Sequence, residues 1–524
     1  MPRLLRIVPA LAAATLVLAA CGGEVDDPTT DPGSGGESGS ESGSGATGSG
    51  AGEEMPPVPE GLETYYEQDV EWTDCGEFEC TDIEVPLDYD APDGESITLA
   101  VKRLPASDGE PVGSMLINPG GPGGSGVEFV EYATSSISPE VTAAYDIVGF
   151  DPRGVQNSTQ IDCVDDAELD RLLSEDYPDT PEGDADWQAD AELIGAGCEA
   201  ESGDLAGNVD TVSAARDMDV LRAVLGETQL DYLGFSYGTL LGSTYADLFP
   251  ENVGRMVLDG ALDPTSSGFD ITVGQAGGFE GALRAYIEDC QSGALCPLTG
   301  SVDDGAAQIV ELLESAEANP LPTSDPDRPL TQALALTGII LPMYDESSWP
   351  MLTAALQAAI NLNEGTALLQ FADIYNTRND DGSFADNSTE ANWAINCLDY
   401  PTVEHTQAEL DEQVSQLEEV APTFGQFFGG ENDLLCLNYP HESEREPGPV
   451  AAEGSGPIVV IGTTGDPATP YEWAVGLADQ LDEGVLVTYE GEGHTAYGRS
   501  NECVQGAVDE FFLEGTPPED ELTC

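Results

Sequence analysis

Residues 231–249 read DYLGFSYGTLLGSTYADLF, and this stretch decides the fold. Within it, Gly234-Phe235-Ser236-Tyr237-Gly238 is the chain's only G-x-S-x-G match, and it joins an apolar, strand-like segment to a helix-like one. A sharp turn from strand to helix leaves no room for side chains beside the serine and pushes the serine oxygen out at the carboxyl edge of a sheet. The positive end of the following helix lies near any negative charge that develops there. The stretch predicts a nucleophile at Ser236; the alternative is a chance match at an ordinary helix start.

A serine hydroxyl attacks a carbonyl well only when a nearby base removes its proton, so a histidine is required. The chain has three histidines, His405, His441 and His494. His494 closes the sequence GEGH after the last predicted strand and before a carboxyl-terminal helix, which is where an α/β-hydrolase places its base. The other two lie in a predicted helical insertion, and we interpret them as surface or packing residues.

The histidine needs an acid to hold its tautomer. Asp466, in GTTGDP at residues 462–467, follows a predicted strand and precedes His494 by 28 residues. The order serine, aspartate, histidine is the one that α/β-hydrolases use. Asp259, directly after an earlier strand, is the rival candidate, and its alternative interpretation is a buried carboxylate that braces a loop.

Acyl transfer also needs hydrogen-bond donors for the oxyanion, worth about 3 to 4 kcal/mol each. Residues 118–126 read NPGGPGGSG, follow a strand and offer bare backbone amides at the same sheet edge. The predicted donors are the amide of Tyr237 and that of Gly121, with Gly120 as the alternative to Gly121. A phosphate-binding loop is a poorer interpretation, because no Lys-Ser/Thr pair follows the glycines. The chemistry assembled in this way needs no cofactor.

From about residue 60, short apolar runs alternate with helical stretches, which is typical of a mostly parallel sheet with helices on both faces. Residues 266–445 break this rhythm and predict a large, mainly helical inserted cap. The sequence therefore predicts an α/β-hydrolase fold whose core is formed by residues 60–265 and 446–524. The predicted strands span residues 97–104, 114–118, 145–150, 230–235, 254–258, 458–461 and 485–489.

The charge of the chain excludes one class of partner. Its 524 residues carry 100 acidic and 14 basic side chains, a formal net charge of −86, and Lys102 is the only lysine. Such a surface repels phosphate backbones, so nucleic-acid binding is not expected. Metal binding is not expected either, because the cysteines are not spaced as zinc ligands and histidines are few.

The amino terminus predicts export. Residues 1–20 combine two arginines with an apolar stretch, as in a signal peptide, and Leu18-Ala19-Ala20-Cys21 resembles a lipobox, which predicts lipidation of Cys21. Residues 21–59 are rich in Gly, Ser and acidic side chains and predict a disordered tether. We expect a lipoprotein of the cell membrane that faces the extracellular side; a plain secretory signal is the alternative.

Ten cysteines remain after Cys21, an even number that favours disulfides in an exported protein. Neighbours along the sequence predict the pairs Cys75 with Cys80, Cys163 with Cys198, Cys290 with Cys296, Cys397 with Cys436, and Cys503 with Cys524.

These motifs resemble those of the secreted tripeptidyl aminopeptidases and related proline-iminopeptidase-like α/β-hydrolases of actinobacteria, including their TAP-like carboxyl-terminal region. In proline iminopeptidases a histidine usually precedes the Gly-Gly-Pro-Gly run, whereas Pro119 stands there in this chain, which favours the tripeptidyl branch. The resemblance spans residues 60–524 and rests on residues 118–126, 151–154, 217–264, 394–399, 465–470 and 491–494.

The resemblance implies a serine aminopeptidase that releases short peptides, in particular tripeptides, from the free N-termini of peptide substrates. We expect the enzyme to be a monomer. An exopeptidase must hold the substrate ammonium group, and Asp399 is the predicted carboxylate for it; the alternative is that Asp399 only braces the loop at Cys397. Two other functions stay open: a carboxylesterase or lipase with the same triad, and a surface lipoprotein that binds ligands without catalysis.

Overall fold

A mostly parallel β-sheet organises the molecule. The computed structural model describes residues 55–178, 180–428 and 431–524, so the predicted signal peptide, Cys21 and the tether up to residue 54 lie outside the described residues. Within them the sheet has ten strands in the order β1-β2-β3-β5-β4-β6-β7-β8-β9-β10. The strands are β1 Thr73–Asp74, β2 Glu79–Pro86, β3 Ser96–Leu104, β4 Ser114–Asn118, β5 Asp146–Phe150, β6 Leu230–Phe235, β7 Val253–Asp259, β8 Ile458–Gly465, β9 Gly484–Glu492 and β10 Leu522–Thr523.

Strands β4 to β10 pair in parallel, and β1, β2 and β3 extend the sheet with antiparallel pairs. The central strands are buried on both faces. In β4, Met115 and Ile117 pack into the core on one side, whereas Leu116 packs into the core on the other. Alternation of side chains along a strand explains why such a strand reads as a continuous apolar run. The predicted α/β-hydrolase fold is confirmed.

Helices cover both faces of the sheet. Helix α7 buries apolar residues at helical spacing, among them Ala215, Met218 and Leu221, and ends shortly before Gly226, whose φ of +83° suits a glycine. The helices are α1 Glu63–Tyr66, α2 Gly126–Phe129, α3 Ala133–Ser136, α4 Pro139–Ala144, α5 Asp166–Ser174, α6 Pro181–Ser202, α7 Thr211–Val224, α8 Tyr237–Leu248, α9 Gly268–Ser292, α10 Val302–Ala318, α11 Gln332–Ile340, α12 Trp349–Leu362, α13 Thr366–Tyr375, α14 Ser388–Asp399, α15 Gln407–Val420, α16 Glu431–Asn438, α17 Tyr471–Gln480 and α18 Glu502–Glu514.

Helices α9 to α16 all lie between β7 and β8 in the chain. Most of them share a separate apolar core, in which Phe279, Leu283, Ile339 and Leu356 are fully buried. Helix α14 is different, because its apolar residues join the core that covers the sheet. This helix therefore brings part of the inserted segment against the glycine-rich loop that follows β4, where Asn392 donates to the Pro122 carbonyl oxygen.

All five predicted cysteine pairs form disulfides in the structure. Among the residues that the structure describes, no helix combines the length and the apolar character needed to cross a membrane.

Candidate active site

The predicted nucleophile, Ser236, stands between the end of β6 and the start of α8. Its φ of 55° and ψ of −125° are unusual for a residue with a side chain, and such strain persists only when the surroundings hold it. A Cβ on Gly234 would lie 2.4 Å from the Gly238 carbonyl oxygen, and one on Gly238 would lie 2.8 Å from Asn118 Oδ1. Close backbone approach thus explains both glycines of the motif.

His494 and Asp466 come together at the same edge of the sheet. Asp466 follows β8 and His494 follows β9, and the His494 Nδ1 atom lies 2.8 Å from Asp466 Oδ1 and 3.0 Å from Oδ2. The other ring nitrogen, Nε2, is buried and has no hydrogen-bond partner among the described residues. No hydrogen bond joins Ser236 to His494 within the described residues. Nε2 is the ring nitrogen left to accept a proton.

The Asp466 carboxylate is held by backbone amides. Oδ1 accepts from the amides of Ala468 and Thr469, each at 2.9 Å, and Oδ2 accepts from the Thr495 amide at 3.1 Å. The Thr469 hydroxyl also lies 3.3 Å from His494 Nδ1. This contact of Thr469 with the histidine was not predicted, although Thr469 lies only three residues after the predicted acid, Asp466.

The rival acid, Asp259, has other contacts. Its carboxylate is fully buried and accepts hydrogen bonds from the amides of Ala496 and Tyr497, at 2.7 to 3.0 Å. Burial raises the pKa of Asp259 to about 6. The structure thus places Asp466, and not Asp259, against His494 Nδ1, whereas Asp259 holds the loop that follows the histidine.

A residue of the inserted segment also contacts the histidine. The His494 amide donates to the carbonyl oxygen of Tyr344 at 2.8 Å, and the Tyr344 ring meets the imidazole edge-on, with centroids 5.5 Å apart. Tyr344 closes the 3₁₀ helix Leu341–Tyr344, which continues α11. The sequence carries no motif that reveals this contact.

The glycine-rich loop lies directly against Ser236. A Cβ on Gly120 would lie 2.6 Å from the Phe235 carbonyl oxygen and 2.8 Å from Ser236 Cβ, and the φ of Gly120 is +103°. The Gly120 amide donates to Asn118 Oδ1 at 2.9 Å and is therefore occupied. The amides of Gly121 and Tyr237 donate to nothing among the described residues. The geometry favours Gly121 over Gly120 as the second oxyanion donor.

Two buried side chains support this loop. Asn392 of α14 donates to the Pro122 carbonyl oxygen at 3.3 Å, and the Asp151 carboxylate accepts from the Ser125 hydroxyl and the Val127 amide. Sequence reasoning missed Asn392, which lies 270 residues from Pro122.

The predicted ammonium anchor, Asp399, is 0% exposed. One carboxylate oxygen accepts from the Thr211 amide at 2.9 Å and the other from the Thr211 hydroxyl. Burial raises the pKa of Asp399 to about 6, and the Arg445 guanidinium opposes this rise. A carboxylate enclosed in this way offers no surface to a substrate ammonium group, so the structure does not support the predicted anchoring role.

The two other histidines lie elsewhere. His405 is 3.6 Å from Asp433 and His441 is 3.8 Å from Glu199, and neither contacts the predicted triad.

A serine on a strained strand-to-helix turn, at the sheet edge that also carries an aspartate-oriented histidine, is characteristic of hydrolases with the α/β-hydrolase fold. Fold and site together place the chain in this class of enzymes.

Comparison with known proteins gives the family. Residues 113–302 match the family described as alpha/beta hydrolase fold, and residues 421–524 match the family described as TAP-like protein. Serine protease Hip1 of Mycobacterium tuberculosis is 38% identical over 87% of this chain and 91% of its own length. Carboxylesterase B of the same species is 36% identical over 86% and 89%, and the tripeptidyl aminopeptidase of Streptomyces lividans is 31% identical over 87% and 86%. The chain belongs to this family of serine protease-like and peptidase-like α/β-hydrolases with a TAP-like region, which confirms the resemblance.

Proposed function

We propose that the protein is an exported serine aminopeptidase that releases short peptides, in particular tripeptides, from free N-termini. The observation that carries the proposal is the 2.8 Å contact between His494 Nδ1 and Asp466, which leaves the buried Nε2 without a partner among the described residues, at the sheet edge where the strained Ser236 also stands. The names of the relatives support a peptide as substrate.

In the proposed mechanism, His494 Nε2 takes the proton of the Ser236 hydroxyl while the serine oxygen attacks the peptide carbonyl carbon. Asp466 keeps the Nδ1 proton in place and stabilises the imidazolium. The amides of Tyr237 and Gly121 bind the oxyanion, and each such donor contributes about 10²- to 10³-fold to kcat. His494 then protonates the leaving amine, which breaks the peptide bond, and finally activates the water that hydrolyses the acyl-enzyme.

A carboxylesterase is the second candidate function. The same catalytic groups act on esters, and the relative named carboxylesterase B is 36% identical to this chain.

Three substrates test the proposal: a tripeptide p-nitroanilide with a free amine, its N-acetylated twin, and p-nitrophenyl butyrate. An aminopeptidase cleaves the free-amine anilide and spares the acetylated one. Preference for the ester supports the second candidate. Equal cleavage of both anilides contradicts aminopeptidase specificity. Silence toward all three, with no fluorophosphonate labelling of Ser236, contradicts an enzymatic function and supports a ligand-binding lipoprotein. Ser236→Ala is the control.

We also propose that the protein is exported and carries a lipid anchor at Cys21. For the chain organisation, we propose that residues 60–265 and 446–524 form the core and that residues 266–445 form its cap. The lipobox-like sequence and the even number of cysteines after it support the first proposal. Radioactive palmitate should label the wild type and not Cys21→Ala. Equal labelling would contradict lipidation of this residue.

A further inference from the structure

Asp399 occupies a place where a carboxylate is costly. It is the last residue of α14, is 0% exposed and forms no ion pair among the described residues. The carboxyl end of a helix disfavours negative charge, and a buried charge that forms no ion pair costs more still, although the nearby Arg445 guanidinium lowers the pKa of Asp399 and offsets part of this cost. Arg445 donates to the backbone carbonyl of Asp399 at 3.2 Å and not to its carboxylate. A residue held at such cost calls for a role beyond packing.

The carboxylate ends a chain of buried hydrogen bonds that begins at the predicted oxyanion hole. The Thr211 amide and hydroxyl both donate to Asp399, so the hydroxyl oxygen of Thr211 is left to accept from the Tyr237 hydroxyl. Thr211 is the first residue of α7 and is fully buried, and Tyr237 is 4% exposed. The ionised carboxylate accepts only, and it therefore fixes the direction of both hydroxyl groups.

Tyr237 needs such an anchor because of its neighbour. It is the first residue of α8 and directly follows Ser236, whose backbone is in a conformation that relaxes unless the surroundings hold it. A Tyr237 side chain fixed at its far end resists rotation of the peptide unit between residues 236 and 237. That peptide unit carries the Tyr237 amide, one of the two predicted donors to the oxyanion.

We propose that Asp399 is a positioning residue that acts through Thr211 on Tyr237 and so aligns the Tyr237 amide with the oxyanion. The inference takes from the proposed function only the Ser236 acyl-enzyme chemistry and holds for peptide and ester substrates alike. It replaces the predicted role of Asp399 as an ammonium anchor.

Two variants cut the chain of hydrogen bonds with little change of shape. Tyr237→Phe removes the Tyr237 hydroxyl. Thr211→Val removes the hydroxyl that links Tyr237 to Asp399, whereas the backbone amide of residue 211 still donates to Asp399. We expect kcat to fall about tenfold or more toward both the anilide and p-nitrophenyl butyrate, with KM within about twofold, because the lost interaction acts in the transition state. Thr211→Ser keeps the hydroxyl and should restore kcat.

Tyr286→Phe is the matched control, since the Tyr286 hydroxyl lies 3.0 Å from the Thr353 hydroxyl in the separate helical core. It should lower Tm and leave kcat unchanged. If Tyr237→Phe and Thr211→Val also lower only Tm, with kcat within about twofold of wild type, the positioning role is wrong.

Asp399→Asn separates the positioning role from the anchoring role. An asparagine can turn its amide donor toward the Thr211 hydroxyl, so the positioning role predicts an equal fall in kcat for free-amine and N-acetylated substrates and for the ester. Loss confined to the free-amine anilide, with a raised KM, would show an ammonium anchor and overturn the inference. If this variant does not fold, Thr211→Val and Tyr237→Phe decide. A wild type that prefers the ester contradicts the aminopeptidase proposal alone, because the ester still reports on the positioning role.

Discussion

Substituting asparagine at either of two buried aspartates distinguishes the acid of the triad from the acid that braces its loop. In Asp466→Asn the new NH2 group takes the place of one carboxylate oxygen, and in either place it faces backbone N–H groups that are also donors. At Oδ1 these belong to Ala468 and Thr469, and at Oδ2 the N–H belongs to Thr495. Asparagine also cannot stabilise the imidazolium, and the wrong histidine tautomer results. Loss of this acid costs about 10³- to 10⁴-fold in kcat, or about 4 to 5.5 kcal/mol of transition-state stabilisation.

Asp259→Asn has a milder outcome. Oδ2 accepts from both the Ala496 and the Tyr497 amides, so an asparagine with its oxygen there keeps an acceptor for each. The NH2 group of the asparagine then replaces Oδ1, which accepts a hydrogen bond from the Ala496 backbone amide alone. We expect kcat to fall less than about tenfold, because the histidine keeps its own acid.

The assay is kcat and KM for the tripeptide anilide or p-nitrophenyl butyrate, together with thermal unfolding of both variants. Unfolding shows whether each variant is folded at the assay temperature. An Asp259→Asn variant as inactive as Asp466→Asn, with both folded, would refute the assignment of Asp466 as the acid that orients His494.

Three further predictions concern the nucleophile, the glycine loop and a buried glutamate. Ser236→Ala should abolish turnover and fluorophosphonate labelling without lowering Tm; turnover near that of wild type would show a different nucleophile. Gly120→Ala should lose activity and Tm, because its Cβ would lie 2.6 Å from the Phe235 carbonyl oxygen at a φ of +103°; wild-type kcat would contradict the tight contact. Burial raises the pKa of Glu390 from 4.5 to about 7, so its contribution to the free energy of unfolding is fully present below pH 4.5 and is lost as the pH rises through 7. Glu390→Gln keeps the acceptor for the Cys163 and Val164 amides and should flatten this loss in denaturant unfolding at several pH values, whereas parallel curves would contradict it.

The local parts of the molecule could be predicted from the sequence. The turn at Ser236 and helix α7 follow from short-range patterns, and the cysteine pairs follow from neighbours along the chain. Strand β2 was not predicted, because its first three residues are half-buried, its next four alternate between exposed and buried, and three of its eight residues carry carboxylates. The two-residue strands β1 and β10 are too short to leave a pattern.

The contacts between the inserted segment and the core could not be predicted. A carboxylate at position 399 reads equally well as a ligand for an ammonium group or as a buried acceptor. The contact that decides between these interpretations comes from Thr211, 188 residues away. Tyr344 likewise reaches His494 through a backbone carbonyl oxygen, which every residue type possesses, so no residue pattern could mark it.

The helices between β7 and β8 therefore take part in holding the catalytic edge. Three of their contacts reach the groups of the proposed mechanism: the Tyr344 carbonyl at the His494 amide, Asn392 at the glycine loop, and Asp399 at Thr211. Each contact adjoins a different group of the proposed mechanism, namely the base, one oxyanion donor and the residue that fixes the other donor. Because these contacts are buried hydrogen bonds, leaving a partner unpaired costs about 1 to 3 kcal/mol each. Exchange of residues 266–445 for another helical segment would thus lower kcat even for a small ester that needs no enclosure, unless the new segment reproduced all three contacts.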